Sequence, residues 1–259
     1  MSLRLSTEER EAYERDGFVV RRDVFGADDL DTMRAAAEEF VGDLQSTATA
    51  VKRSHGSYTF QTDLEQAITV KWEDGKNVVL GIEPFAHLQP VFRAYAADPR
   101  FTEPMKDLTG SAEVGLYTEK LNLKRAGVGG PIVLHQDWPY WARISDDVEK
   151  IATAMLFLDD ANQANGCLEV SPGSHALGVQ PTRDEEGFFG EISTREFDMT
   201  TLVPVEVAAG SVVVFGPRLV HRSMPNTSGS DRRAFLYSYQ PASYRHSLDH
   251  LRARWATAN

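Results

Sequence analysis

Ile132-Val133-Leu134-His135-Gln136-Asp137-Trp138 is a short apolar run ending in a histidine and an aspartate two residues apart. Side chains at i and i+2 of an extended strand share a face, so His135 and Asp137 are placed to hold one metal ion together. The third ligand must come from another strand. His221, in Phe215-Gly216-Pro217-Arg218-Leu219-Val220-His221-Arg222-Ser223, supplies it. Two imidazoles and one carboxylate form the facial arrangement that suits non-haem Fe(II), with three coordination positions left for a cosubstrate and O2. His135, Asp137 and His221 are therefore the candidate metal-ligating and catalytic residues. The other histidines, His55, His87, His175, His246 and His250, have no comparable partners.

Outward from this stretch, the chain after Gly110 is a series of β-rich runs separated by Gly, Pro, Asn and Ser. The runs are Glu113 to Leu123, Ile132 to Asp137, Ile151 to Leu158, Cys167 to Val170, Leu202 to Val207, Ser211 to Phe215 and Arg233 to Gln240. Many short strands of this kind fold as two packed sheets. Before them, Ser6-x-x-Glu9 has the pattern of a capping box and starts a helix that Asp16-Gly17 ends. Phe18 to Val20 reads as a short strand. A second helix is expected from about Asp28 to Leu44, with Leu30, Met33, Ala37, Phe40 and Val41 at helical spacing. Residues 45–76 read as loop with one strand near Ala67 to Trp72, and Leu88 to Ala97 and Phe101 to Leu108 as helices. The expected fold is mainly β with helices (α+β), a cupin-like double-stranded β-helix or jelly roll flanked by N-terminal helices. One domain, 1–259, is expected: 1–110 largely helical support with a substrate loop, 111–243 the jelly-roll core and 244–259 a helical tail.

Composition excludes several alternatives. With 259 residues, 42% of them hydrophobic, the chain can bury a single sizeable core. One cysteine, Cys167, allows neither a disulfide framework nor a cysteine-rich zinc site. The first ten residues lack the apolar segment of a secretory signal, and Ile151 to Leu158 is far too short to cross a bilayer. A cytoplasmic location with no membrane partner is expected. A formal charge of −11 repels polyanions, so nucleic acid is excluded as a partner in favour of a small-molecule substrate. Composition leaves the oligomeric state open.

The ordered set Asp16-Gly17-Phe18-Val19-Val20, His135-Gln136-Asp137, Asn165-Gly166-Cys167-Leu168-Glu169-Val170 with Ser171-Pro172-Gly173-Ser174-His175, and His221-Arg222-Ser223 followed by Arg232 resembles the phytanoyl-CoA dioxygenase family. These are Fe(II)/2-oxoglutarate oxygenases, and the ectoine-hydroxylase branch is among the similar sequences. The resemblance implies iron bound by His135, Asp137 and His221. It implies that Arg232 pairs with the distal carboxylate of 2-oxoglutarate beside the Ser223 hydroxyl, a task that suits a planar guanidinium. By the same resemblance, Asn122 and Thr118 face the cosubstrate, Trp141 lies near the iron and Lys124 matches the family's strand lysine. Related halogenases have a small residue where this chain has Asp137, so oxidation without chloride is implied. Hydroxylation is the first expectation; desaturation, epimerisation and ring formation share its early steps.

For the substrate, Trp138, Tyr140 and Trp141 follow the ligand strand directly, while Trp72 and Phe188-Phe189 are read on covering loops. Core packing is the competing role for these aromatics. Arg143 is a candidate for a substrate carboxylate, with a solvated charge as its alternative. A small natural-product intermediate or an amino-acid derivative fits such a wall. The rival functions are a cupin-like metal hydrolase or isomerase, which needs a general base near the metal, and a non-catalytic small-molecule-binding module.

Overall fold

A computed structural model of the chain describes residues 3–47, 53–55, 58–63, 68–73, 75–145, 147–183 and 190–246. The chain is mostly β-sheet with a few helices. Helix α1 (Thr7–Asp16) starts on the capping box: the Ser6 hydroxyl accepts from the Glu9 amide, and the Glu9 carboxylate accepts from the Ser6 amide. It stops at Gly17, whose φ of 82° is readily available only to glycine. Strand β1 (Phe18–Arg21) follows, then α2 (Ala27–Thr47), which buries Leu30, Met33, Ala37, Val41 and Leu44 along one stripe.

Residues 45–76 hold the strand expected near Ala67 to Trp72, which is β4 (Ile68–Glu73), and two further strands in the part read as loop, β2 (Arg53–His55) and β3 (Tyr58–Asp63); β4 is followed by β5 (Val79–Glu83). Ile68-Thr69-Val70-Lys71-Trp72-Glu73 alternates apolar with polar residues, the period of a strand with one face in the core. The first 110 residues thus extend the sheet by five strands as well as bearing helices α3 (Pro90–Ala96) and α4 (Pro99–Thr109). Trp72, read on a covering loop, is instead fully buried in the main core, where its indole N–H donates to Gln61 Oε1 at 3.1 Å.

The remaining elements are β6 (Val114–Lys124), β7 (Ile132–His135), α5 (Trp138–Trp141), β8 (Ala152–Phe157), β9 (Leu168–Val170), β10 (Val203–Val205), β11 (Val212–Phe215), β12 (His221–Ser223) and β13 (Arg232–Pro241). Among the described residues they make two antiparallel sheets. The large one runs β1-β11-β8-β13-β6-β5-β4-β3-β2 and the small one β10-β9-β12-β7.

Alternation along each strand sorts side chains between two layers. On β13, Phe235, Tyr237 and Tyr239 join the core beneath α2, α3 and α4, whereas Arg232, Ala234 and Leu236 face the space between the sheets. Phe235 is fully buried against Phe85 and Phe92, with ring centroids at 5.0 and 5.5 Å, so Phe235→Ala should cost about 3–5 kcal/mol. Direct cross-strand partners share a face, which carries the inward side from β13 to Thr118, Lys120, Asn122 and Lys124 on β6. Through the Gly81–Asn122 and Lys71–Gly81 pairings it continues to Gly81 and Glu83 on β5, and to Lys71 on β4. The sheet therefore turns a polar wall toward the interior.

Candidate metal centre

The small sheet brings the proposed ligands together by register: His221 on β12 lies opposite His135 on β7. One ligand atom each from His135, Asp137 and His221 falls within a 4.8 Å cluster. Their imidazoles are oriented in the same way. Nδ1 of His135 is 2.8 Å from the Val133 carbonyl oxygen, and Nδ1 of His221 is 3.0 Å from that of Leu219. A carbonyl only accepts, so each neutral ring carries its proton on Nδ1 and presents the Nε2 lone pair to a metal. Burial, followed by the neighbouring His221, pushes His135 down to about 3, which keeps it neutral and able to ligate. For Asp137, burial acts to raise the pKa, but Lys120, His221 and His135 outweigh it, and the carboxylate lies below its ordinary range.

Asp137 reaches the site differently from the strand geometry expected of it. β7 ends at His135, and Asp137 has helical dihedrals (φ −72°, ψ −25°) as the cap of the short helix α5. Its carboxylate still turns toward His135, with Oδ1 3.7 Å from Nε2. Gln136, between the ligands, is fully buried. Its amide donates to the carbonyls of Gly178 and Arg218 and accepts from the Gln180 amide. It thus ties the ligand pair to the loop that delivers His221.

Arg232 is 1% exposed, and its Nε and Nη1 meet no hydrogen-bond acceptor. Burial lowers its pKa to about 10, still well above neutrality, so a full positive charge stands in the interior with donors unused. An oxoacid carboxylate is the kind of group these donors fit, and the His-Asp-His donors fit a ferrous ion. Ser223 is buried two residues after His221 on the same face of β12. Asn122 and Thr118 share the inward face of β6, where the Thr118 hydroxyl donates to Glu83 Oε1 at 2.9 Å. Lys124 is cross-strand from Arg232 and donates to the carbonyls of Gly130 and Met224; burial, then Arg232, lowers it to about 6.

The substrate candidates separate. The Tyr140 ring stands edge-on to His135 at 6.0 Å. Trp141 is buried and packs edge-to-face on Tyr117 at 5.2 Å. Trp138 uses its indole N–H on Glu149 Oε1, which also receives Arg218, so this indole forms a clasp between α5 and the loop preceding His221. Arg143 is exposed just beyond α5. Trp72 belongs to the core, and Phe188 lies outside the described residues.

The sequence reading missed Lys71, Lys120 and Glu83. The signal was present in Thr118-Glu119-Lys120-Leu121-Asn122-Leu123-Lys124: once Thr118 and Asn122 are placed inward, alternation puts Lys120 between them.

A sequence-family model described as Phytanoyl-CoA dioxygenase (PhyH) matches residues 13–234. A Caenorhabditis elegans protein named phytanoyl-CoA dioxygenase domain-containing protein 1 homolog is 25% identical, with 96% of this chain and 93% of that protein covered. An ectoine dioxygenase of Bordetella parapertussis is 27% identical over 86% of this chain and 71% of its own length. Among solved structures, EctD from S. alaskensis with bound Fe superposes with a TM-score of 0.70 at 25% identity, covering 93% of this chain and 79% of EctD.

Proposed function

This chain belongs to the phytanoyl-CoA dioxygenase family and is an Fe(II)/2-oxoglutarate-dependent dioxygenase, and we propose that it hydroxylates a small organic molecule, a natural-product intermediate or an amino-acid derivative. The observation that carries the reading is the convergence of His135, Asp137 and His221 within 4.8 Å. We further infer one domain spanning 1–259, with the two sheets as a double-stranded β-helix and residues 111–243 as its core.

When bound, iron and 2-oxoglutarate supply the oxidising power, with O2 consumed and succinate and CO2 released as a substrate C–H bond is oxidised. The chain's own residues hold and aim. The two Nε2 atoms and the Asp137 carboxylate would bind the metal on one face, leaving the opposite face to small molecules. Arg232, Ser223 and Asn122 would seat the oxoacid. Burial of Arg232 strengthens that ion pair by excluding water. Tyr140, edge-on to His135, and Trp141 would confine the substrate so that a single C–H bond is presented.

A metal hydrolase or isomerase leaves the buried guanidinium without a purpose, and a binding module without chemistry would show neither O2 uptake nor succinate release. The test is anaerobic addition of Fe(II) and 2-oxoglutarate, read by the weak visible charge-transfer band of the chelate, followed by O2 uptake and succinate release across a substrate library. No band, with zinc-supported hydrolysis instead, overturns the assignment.

A further inference from the structure

The ladder between β6 and β13 skips one residue: Ser238 pairs with Thr118 and Tyr239 with Leu116, so Tyr117 is the extra residue of a β-bulge. Parity changes across it. Leu121 and Leu123 face the core under α2, α3 and α4 on one side of the bulge, and Val114 and Leu116 face it on the other. Tyr117 therefore turns with Thr118 toward the space between the sheets, away from the main core. Its ring packs with Trp141, Val148 and Ile151 against Trp138 and Tyr140, and meets Trp141 edge-on at 5.2 Å. The bulge thus brings a phenol beneath α5, beside the proposed substrate wall.

The hydroxyl of this phenol is unpaired. Tyr117 is fully buried, and among the described residues its oxygen meets no hydrogen-bond partner and is closed to water. A hydroxyl left in this state destabilises the fold, because it loses hydration without replacing it. Burial first, then the charges of Glu83 and Asp137, push its pKa up, so it keeps its proton and stands as a donor. Both carboxylates act on it without accepting from it: Glu83 takes the Thr118 hydroxyl at 2.9 Å, and Asp137 turns toward His135. The oxoacid is seated elsewhere. Ser238, opposite the residue next to Tyr117, lies six residues beyond Arg232 on β13, about 20 Å along the strand. A five-carbon cosubstrate anchored at Arg232 does not span that length. The occupant that can bring an acceptor to the phenol is the substrate.

Resting on the oxygenase reading, we propose that Tyr117 is a specificity-determining residue whose hydroxyl donates to a carbonyl, ether or hydroxyl oxygen of the substrate. Because Asp137 acts on the phenol, that oxygen lies near the C–H bond presented to the metal. The molecule oxidised by this chain is then an oxygenated one; a purely hydrocarbon surface at this place leaves the phenol unpaired.

Tyr117→Phe deletes the hydroxyl and keeps the ring. Since the oxygen is unpaired in the fold, the thermal unfolding midpoint of the metal-free variant should stay or rise. The Fe(II) and 2-oxoglutarate needed to form the charge-transfer band without oxygen should be unchanged. The probes are cyclohexanone, cyclooctanone and acetophenone, each paired with the alkene in which C=CH2 replaces C=O, titrated without oxygen at saturating 2-oxoglutarate. The readout is the shift of the band. For at least one pair, the ratio of ketone to alkene affinity should fall about fivefold from the unaltered protein to Tyr117→Phe, the net effect of one neutral hydrogen bond. The same ratio in both proteins for every pair, or no response of the band to any ketone, overturns the proposal. A lowered unfolding midpoint overturns it too, since the hydroxyl is then structural. So does a rise in the Fe(II) or 2-oxoglutarate that Tyr117→Phe needs, because the phenol then serves Asp137 or the cosubstrate. Absence of the band in the unaltered protein overturns the oxygenase reading itself, and this inference with it, before any ketone is added.

Discussion

His135 and His221 face each other as direct partners across β7 and β12, with ring centroids 4.1 Å apart. Each is held by a backbone carbonyl two residues earlier, so the metal-binding geometry depends on the pairing of two short strands more than on any side-chain network. Replacing either ring by alanine should weaken iron binding by more than about a hundredfold, since loss of an outer partner alone commonly costs ten- to a hundredfold. Metal analysis after gel filtration checks this; retention of stoichiometric iron by His221→Ala would remove that residue from the centre.

Arg232→Leu should lower 2-oxoglutarate affinity by about 2–5 kcal/mol, the usual range for truncating one side of a buried charge pair. Iron binding should stay within a few-fold of normal. The adjacent Arg233→Leu is the contrasting case: Arg233 is bound to Asp159 and Glu38 outside the site, so it should reduce stability while leaving the cosubstrate affinity unchanged. Titration of the visible band reads both.

Glu38 on α2 meets Arg125 and Arg233 at 2.7 and 2.9 Å. Burial works to raise its pKa, but the hydrogen bond and charge of Arg125, then Arg233, bring it below the ordinary 4.5. A depressed carboxylate stabilises the fold above its unfolded-state pKa, and this contribution disappears as the pH falls through the folded value. Its side chain is 42% exposed, so screening keeps the contribution small. Glu38→Gln should cost about 0.5–1 kcal/mol at pH 7 and low salt, and less at pH 3. Urea unfolding at the two pH values tests the sign; an equal loss at both would remove the ionic explanation.

Gly166 has φ +76°, and a Cβ there would lie 2.3 Å from the Met224 carbonyl oxygen, the same oxygen that receives Lys124. Gly166→Ala is expected to destabilise the protein by about 1–3 kcal/mol. Thermal unfolding should show this as a fall of roughly 2–4 °C for each kcal/mol. An unchanged midpoint would mean that the Met224 segment yields without strain.

The large elements were legible because their signals are local. Ser6 and Glu9 cap α1 within one turn, and the alternation from Arg233 to Gln240 marks β13. His135 and His221 were legible for a different reason, as histidines ending or following apolar runs. What stayed hidden depends on contacts distant in sequence. β4 was expected near Ala67 to Trp72, but β2 and β3 were not, because their stretch of sequence is polar and irregular and only pairing with β4 orders it as sheet. Trp72, at the end of that expected strand, was also read as covering the site, whereas its side chain lies on the core face of β4. Asp137 joined its site from a helical turn that i, i+2 strand logic does not contain. The pairing of Lys120 with Glu83 requires knowing that β5 lies next to β6.

Arg232 and Arg233 are consecutive, identical in chemistry and opposite in direction: one points between the sheets, and the other clamps Asp159 and Glu38. Strand β13 thus carries its own reading frame. A single-residue insertion or deletion between His221 and Arg232 that shifted the register would exchange the two guanidiniums, stripping the interior of its oriented donors and loosening α2 in one event. Homologous chains should therefore tolerate length changes elsewhere on the surface far more readily than in that segment.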